Sequence, residues 1–325
     1  MRNLLPAMTA TLLFATLATA HAQPSPQWSP TRPVRLIVPF PPGGSTDLVA
    51  RVVGQKMADA WGKQVVIDNR PGANGMIGSE VVAKSAKDGY TLMVNGANFV
   101  TSPSLYRKAP YDPLRDFEAI SLIAFGPNVL VAHPSLPAKS VQELIAFAKA
   151  KPGEVTFASG GPGGAQHLAG ELFNSLAGIH MTHIPYKGSA PGLTALIGGE
   201  VVVGFADMLI TLPHVKSGKL RALAVTGGTR SNLIPELPTV GEAGLKGYAV
   251  TAWFGLLAPA GTPADIVNRI QQESLKAMGT PALKERLLSQ GAIPSGNTPA
   301  EFARFIAAEA AKWAKVVKDA GIKAD

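Results

Sequence analysis

The sequence has no cysteine among its 325 residues. This excludes disulfides, thiol nucleophiles and cysteine-held metals. Aromatic residues are scarce at 6%, and the 30 Lys and Arg are scattered among 22 Asp and Glu rather than run together. A nucleic-acid surface needs a basic stripe interleaved with stacking rings, so no nucleic-acid partner is expected. The formal charge of +8 reads instead as a mild bias toward anionic ligands. Past the N-terminus, no apolar run is long and unbroken enough to span a bilayer. Charged residues make up only 16% and hydrophobic residues 46%, which suits a well-buried core. The length accommodates two domains of roughly 150 residues each.

The N-terminus carries a targeting pattern. Met1-Arg2-Asn3 is a short positive region, and residues 4–20 are largely apolar. Ala20-His21-Ala22 fits the small-x-small cleavage rule, so a signal peptide over residues 1–22 is expected to be cut after Ala22. Pro6 and four threonines break the apolar run, which argues against a retained anchor. An exported protein is the expectation, in a bacterium one of the periplasm.

The most informative stretch is residues 34–47, VRLIVPFPPGGSTD. A β-branched apolar run ends in Phe40-Pro41-Pro42-Gly43-Gly44, and Ser45-Thr46-Asp47 then opens a segment of helical apolar period. This reads as buried strand, tight turn and helix N-terminus. Unpaired N–H groups and the positive end of the helix dipole make such a terminus a site for carboxylate or phosphate. Residues 155–167, VTFASGGPGGAQH, repeat the design. Two such turns suggest two lobes facing one cleft.

Strands at 64–68 and 90–94 alternate with helices, and the gaps suit crossovers rather than hairpins, giving a parallel α/β sheet. Ligands in such sheets sit beyond the carboxyl ends of strands, which points to residues 40–47 and 95–101, Asn98 included. Asn74 is read as the cap of a helix running to about Ala86, with Ile77, Val81 and Val82 inward. A strand at 129–132 leads into a second series of strands and helices up to residue 226. The apolar run 252–258 is read as the return crossing. From Pro263 onward the chain reads as three amphipathic helices, with starts at Thr262-Pro263 and Thr298-Pro299, threonine at the cap and proline first in the helix. The expected division is lobe 1 at 23–128 plus 255–325 and lobe 2 at 129–254, with crossings near 129–133 and 252–258.

Neither glycine turn is a dinucleotide or phosphate-loop motif, since the required spacing of glycine, lysine and acid is missing. Asp47 either caps its helix or faces the cleft. His167 either makes a structural hydrogen bond or meets the ligand. His180 and His183 flank a strand and have no third ligand nearby, so no metal is expected. Ser159 lacks the frame of a nucleophile elbow, because Phe157 stands where the first glycine belongs. Asp207 follows a strand and either touches a ligand or caps the next helix. Ser189, after Tyr186-Lys187-Gly188, offers a hydroxyl or an N–H to an anion. No cofactor and no catalytic set is expected.

Taken in order, these segments closely resemble the Bug-type solute-binding proteins of tripartite tricarboxylate transporters. The carriers are PVRLIVPFPPGGSTD (33–47), VVIDNRPGANG (65–75), KDGYTL (87–92), PSLYRKAPYDPLRDF (103–117), HLAGELF (167–173), HIPYKGSAPGLTALIGGE (183–200), LPHVKSGKLRALAVT (212–226), WFGLLAPAGTP (253–263) and AKWAKVVKDAGIK (311–323). The resemblance implies a periplasmic binding protein type II-like fold: α/β, two mostly parallel sheets flanked by helices, with a ligand cleft between lobes. It further implies a monomeric receptor that closes over a small carboxylate (dicarboxylate, tricarboxylate, amino acid or aromatic acid) and hands it to membrane permease subunits. Carried onto this chain, Phe40, Pro41, Gly43, Gly44 and Asp47 form one clasp, and Ser159, Gly160, Gly163 and Gly164 the other. The family's second turn is usually richer in serine than Ser159-Gly160-Gly161-Pro162-Gly163-Gly164-Ala165. The alternatives are a receptor signalling to a membrane sensor and a secreted hydrolase using His167 or Asp47.

Overall fold

The computed structural model describes residues 28–289 and 291–319. The expected signal peptide and its cleavage point lie outside the described residues, as do residues 320 and 321 of the expected last helix.

The chain begins as a run of strand–helix units: β1 (Val34–Val38), α1 (Ser45–Trp61), β2 (Val65–Asn69), a single 3-10 turn (Ala73–Gly75), α2 (Met76–Ala83), β3 (Thr91–Asn95) and α3 (Ala97–Leu105). β1 pairs in parallel with both β2 and β3. The long strand β4 (Phe117–Ala132) leads away, and a second run follows. It comprises α4 (Val141–Ala150), β5 (Thr156–Ser159), α5 (Ala165–Ala177), β6 (Thr182–Pro185), α6 (Ser189–Ile197), β7 (Val203–Asp207), α7 (Met208–Lys216) and β8 (Arg221–Val225). β5 pairs in parallel with β6 and β7. The return strand β9 (Thr251–Pro259) precedes α8 (Ala264–Gly279), α9 (Pro281–Leu288), the short β10 (Ile293–Pro294) and α10 (Pro299–Asp319).

The α/β architecture with two lobes is as expected, but the sheet is mixed rather than mostly parallel, because every pairing made by the connecting strands β4 and β9 is antiparallel. β9 lies antiparallel to β3 and to β4, and β4 is antiparallel to β7, β8 and β10. β4 changes partner midway: Pro127 is opposite Thr251 of β9, whereas Asn128 is opposite Asp207 of β7. One strand thus belongs to both sheets, and its inner residues from Ile120 to Ala124 are all buried. Thr226 ties the crossing together. Its hydroxyl lies 2.8 Å from the Val250 carbonyl and accepts from the Asn128 N–H at 2.9 Å. Helix α10 closes the first lobe by packing Phe302 against β9, where a Cβ at Gly255 would strike the phenyl ring. Trp253 and Trp313 both donate their indole N–H to Glu309.

Three local expectations are corrected. The strand expected at 129–132 begins much earlier, at Phe117. Gly126, Pro127 and the polar Glu118 and Ser121 had hidden the apolar pattern. Asn74 does not cap a helix. It sits in the left-handed region at φ 56°, and Gly75 is the residue before α2, while Ile77 faces outward at 49% exposure. Pro263 is itself non-helical (ψ 140°), and the Thr262 hydroxyl donates to Pro259 O instead of capping α8. Thr298, by contrast, forms a full capping box: its Oγ1 accepts from the Glu301 N–H, and Glu301 accepts from the Thr298 N–H.

Candidate functional site: a cavity ringed by helix N-termini

Four helices, two from each lobe, point their N-termini at one place. α1, α3, α5 and α6 start after Gly44, Gly96, Gly164 and Gly188, and none of the four has a side-chain cap. Serine, threonine, aspartate or asparagine would normally accept from the first-turn N–H groups here. Close approach explains the glycines. A Cβ at Gly44 would lie 2.8 Å from Ser189 Oγ, and one at Gly96 would lie 2.6 Å from the Trp253 carbonyl. The glycines let the turns meet, and they leave the first turns without a capping side chain of their own.

Between the turns is a cavity of about 60 Å³, room for about five water-sized positions. Its walls are Phe40 and Thr46 from the first turn, Ala97 and Asn98 from α3, Ala165 and Gln166 from α5, Ser189 from α6, Asp207 at the end of β7, and residues 252–254 of β9. No lysine, arginine or histidine is among the lining residues. A wider groove of about 560 Å³ opens at its mouth, sharing Phe40, Gly160 and Gly188 with it and lined further by Asn74, Tyr106, Tyr186 and Lys187.

The lobes touch around this cavity. Ser45 Oγ donates to Asp207 at 2.8 Å, and the Ser45 N–H reaches Ser189 Oγ at 3.4 Å. Thr101 Oγ1 donates to the Gly163 carbonyl at 2.7 Å. Asn74 donates to the Pro162 carbonyl and accepts from Asn98 at 2.6 Å. The left-handed backbone of Asn74 is what turns its amide across the cleft.

Of the expected site residues, Phe40, Asn98, Gly160, Gly164, Ser189 and Asp207 line the cavity, and Pro41 lines the groove at its mouth. Gly44 caps α1 against Ser189, and Gly163 meets Thr101. Asp47 is buried and supports its turn from behind. It accepts from the Gly43 N–H at 3.0 Å, Arg51 at 2.8 Å and Asn69 at 3.0 Å. Burial opposes its ionisation, and these three donors overcome that to hold its pKa below the usual carboxylate value. His167 likewise sits behind the second turn, its Nδ1 accepting from the Gly163 N–H at 2.9 Å and its ring stacked on His183 at 3.9 Å. Ser159 and His183 do form a close pair, 2.6 Å between Oγ and Nε2. The serine is buried, and burial and His167 together push His183 down to about 3. The pair braces the turn Ser159–Gly164, and Asp47 and His167 are committed to scaffolding. Among the described residues no cluster of His, Asp or Glu is placed to hold a metal.

Sequence reasoning pointed to residues 40–47 and 95–101 without singling out Ser45, Thr46 or Thr101, and it missed Gln166, Asn74 and the β9 segment as parts of the site. Gln166 accepts from the Gly160 N–H at 2.6 Å, turning its amide nitrogen toward Asp207. A polar residue in the first turn of a helix already assigned to the cleft was a usable signal for Thr46 and Gln166. No local pattern marks Thr101.

A fold of this kind with a ring of helix termini suggests a receptor, and comparison with known proteins decides the family. Residues 49–322 match the model of the tripartite tricarboxylate transporter family receptor. The chain belongs to that family. It is 41% identical over 313 residues to Protein BugT of Bordetella pertussis, spanning 96% of each chain. Among solved structures it is similar to Rpa4515 of R. palustris with adipate, at 39% identity and TM-score 0.88, covering 90% of this chain and 99% of that one. It is also similar to MatC of Rhodopseudomonas palustris with bound malate, at 32% identity and TM-score 0.85, covering 89% and 99%. This Bug-type chain is therefore a receptor of the solute-binding class rather than an enzyme.

Proposed function

We propose that the protein is an extracytoplasmic receptor that binds a small carboxylate in the cleft and delivers it to permease subunits in the membrane. The observation that carries this reading is the ring of four glycine-capped helix N-termini, drawn from both lobes around one cavity. Free N–H groups and dipole ends together favour an anion, and a charge-assisted N–H···carboxylate bond contributes about 1.5–3 kcal/mol. A few such bonds reach micromolar affinity, about −8 kcal/mol. The inner cavity is sized for one carboxylate end and little more, so the groove at its mouth takes the remainder of a longer acid. The adipate and malate bound by two relatives are consistent with this size and chemistry.

The ligand contacts in this reading are Phe40, Thr46, Asn98, Gly160, Gly164, Gln166, Ser189 and Asp207. Asp47, Ser159, Gly163 and His167 shape the turns. The lobes bend where β4 changes partner, at 127–128, and where β9 begins, at 251. This lies at the edge of the division 23–128 plus 255–325 against 129–254. A thermal-shift screen of the purified protein against small carboxylates and their amides tests the reading. A ligand at a hundredfold excess over Kd stabilises by about 2.7 kcal/mol. A carboxylate that shifts the midpoint while its amide does not supports the proposal. Shifts confined to neutral or cationic compounds contradict it.

A further inference from the structure

One feature of the cavity runs against its character as an anion site: among the described residues, the only ionisable side chain lining it is an acid. Asp207 is the N-cap residue of α7, yet its side chain makes no capping bond to that helix. It faces the cavity instead, where Ser45 Oγ donates to it at 2.8 Å from the other lobe. The groups that surround it are uncharged on every side. They are Ser45 and Thr46 from α1, Asn98 from α3, Gln166 from α5, Ser189 from α6, Asn128 opposite it on β4, and residues 252–254 of β9. The nearest titratable groups of those elements are engaged elsewhere: Asp47 with Gly43, Arg51 and Asn69, and His167 with Gly163.

A ligand carboxylate entering about 60 Å³ must therefore lie beside the Asp207 carboxyl with no cation between them. Two carboxyl groups sharing such a site cannot both ionise, and one retains a proton. The helix termini disfavour a ligand ammonium as the alternative partner, because their positive ends point into the same space.

We propose that Asp207 is a ligand-contacting specificity residue that binds as the neutral acid, donating an O–H hydrogen bond to the ligand carboxylate, so that capture of the anion takes up one proton from solution. The inference rests on the carboxylate reading above. Burial already raises the Asp207 pKa against the hydrogen bonds from Ser45 and Gln166, and the ligand's charge raises it further. The coupled pair then selects acids without an amino group near the bound carboxylate.

The test is calorimetry of the intact protein with succinate, malate, adipate and aspartate, across pH from about 6 to 9.5, in pairs of buffers differing in ionisation enthalpy. For any of the first three that binds, the expected result is net uptake approaching one proton per ligand. Kd should rise up to tenfold per pH unit above the free-state pKa of Asp207. Asp207→Asn keeps a donor in place but carries no charge, so its affinity should be flat with pH. At the alkaline end it should exceed the wild type's by at least tenfold. Carboxylate binding with no proton uptake at any pH overturns the inference and leaves the carboxylate reading standing. Tight aspartate binding without uptake, alongside failure of the simple diacids, also overturns it, by making Asp207 an ammonium acceptor. If none of the four acids binds at any pH, the underlying carboxylate reading falls and the inference with it.

Discussion

Gly163 offers the sharpest separation of fold from closure. Its backbone is left-handed at φ +73°, and a Cβ there would lie 2.7 Å from Thr101 Oγ1 and overlap Leu105 Cδ1, both on α3 of the other lobe. Gly163→Ala therefore has two costs that appear in different measurements. The left-handed backbone costs an L-residue about 1–2 kcal/mol whether the lobes are together or apart. In a protein of this size that lowers the thermal midpoint by about 2–3 °C. The clash with α3 exists only with the lobes together. Overpacking of this kind costs about 1–3 kcal/mol, and it displaces the Thr101–Gly163 bond, worth about 1 kcal/mol net. Allowing for some movement of the Leu105 side chain, a closure penalty of about 2–3 kcal/mol is expected. That is a thirty- to 150-fold loss of affinity at about 1.4 kcal/mol per decade. Titration calorimetry with a carboxylate that stabilises the wild type reads the affinity, and a thermal melt without ligand reads the fold. Affinity within twofold of wild type, with the midpoint lowered, would refute the reasoning that Gly163 is small because the lobes close on it.

Other outcomes follow from the same geometry. Asn74→Gly keeps the left-handed backbone but removes the bridge to Pro162 and Asn98, so ligand affinity should fall five- to tenfold for about 1 kcal/mol lost. Asn74→Ala should lose the same affinity and some stability besides. His183 is held neutral, with its pKa pushed to about 3 by burial and His167, while the unfolded chain binds its proton near 6.5. The unfolded state therefore gains protons first, and stability should fall by about 1.4 kcal/mol per unit as pH drops below 6.5. Denaturant midpoints at pH 7 and 5 measure this, and His183→Gln should flatten that dependence. Phe302→Ala empties the contact over Gly255 and should cost about 3–5 kcal/mol in urea unfolding, with ligand affinity little changed in the protein that remains folded.

The placement of the cleft was legible because strand, glycine turn and helix start are written in adjacent residues, at 34–47 and again at 155–167. The return strand β9 was legible as an uninterrupted apolar run at 252–258. The start of β4 was not, because Gly126 and Pro127, which stand where the strand passes between sheets, read as a break. Within the site, the sequence marked the turns but not which atoms face inward. The donors proposed for the ligand are main-chain N–H groups, so side-chain identity at positions 45, 46, 97 and 165 carries little information. Asp47 and Asp207 both stand beside helix starts, and the sequence left open whether each capped a helix or met the ligand. The structure separates them by partners: Asp47 is saturated by Gly43, Arg51 and Asn69, while Asp207 leaves its own helix uncapped and faces the cavity. Asn74 was misassigned because a left-handed asparagine and a cap asparagine have the same local signature.

Amide hydrogen exchange on the protein with and without a stabilising carboxylate tests the central claim most directly. The account predicts slowed exchange in the first turns of all four helices that ring the cavity, at residues 45–47, 97–98, 165–167 and 189–190, drawn from both lobes at once. Protection confined to one lobe, or centred on another surface while these four turns exchange as before, would contradict it.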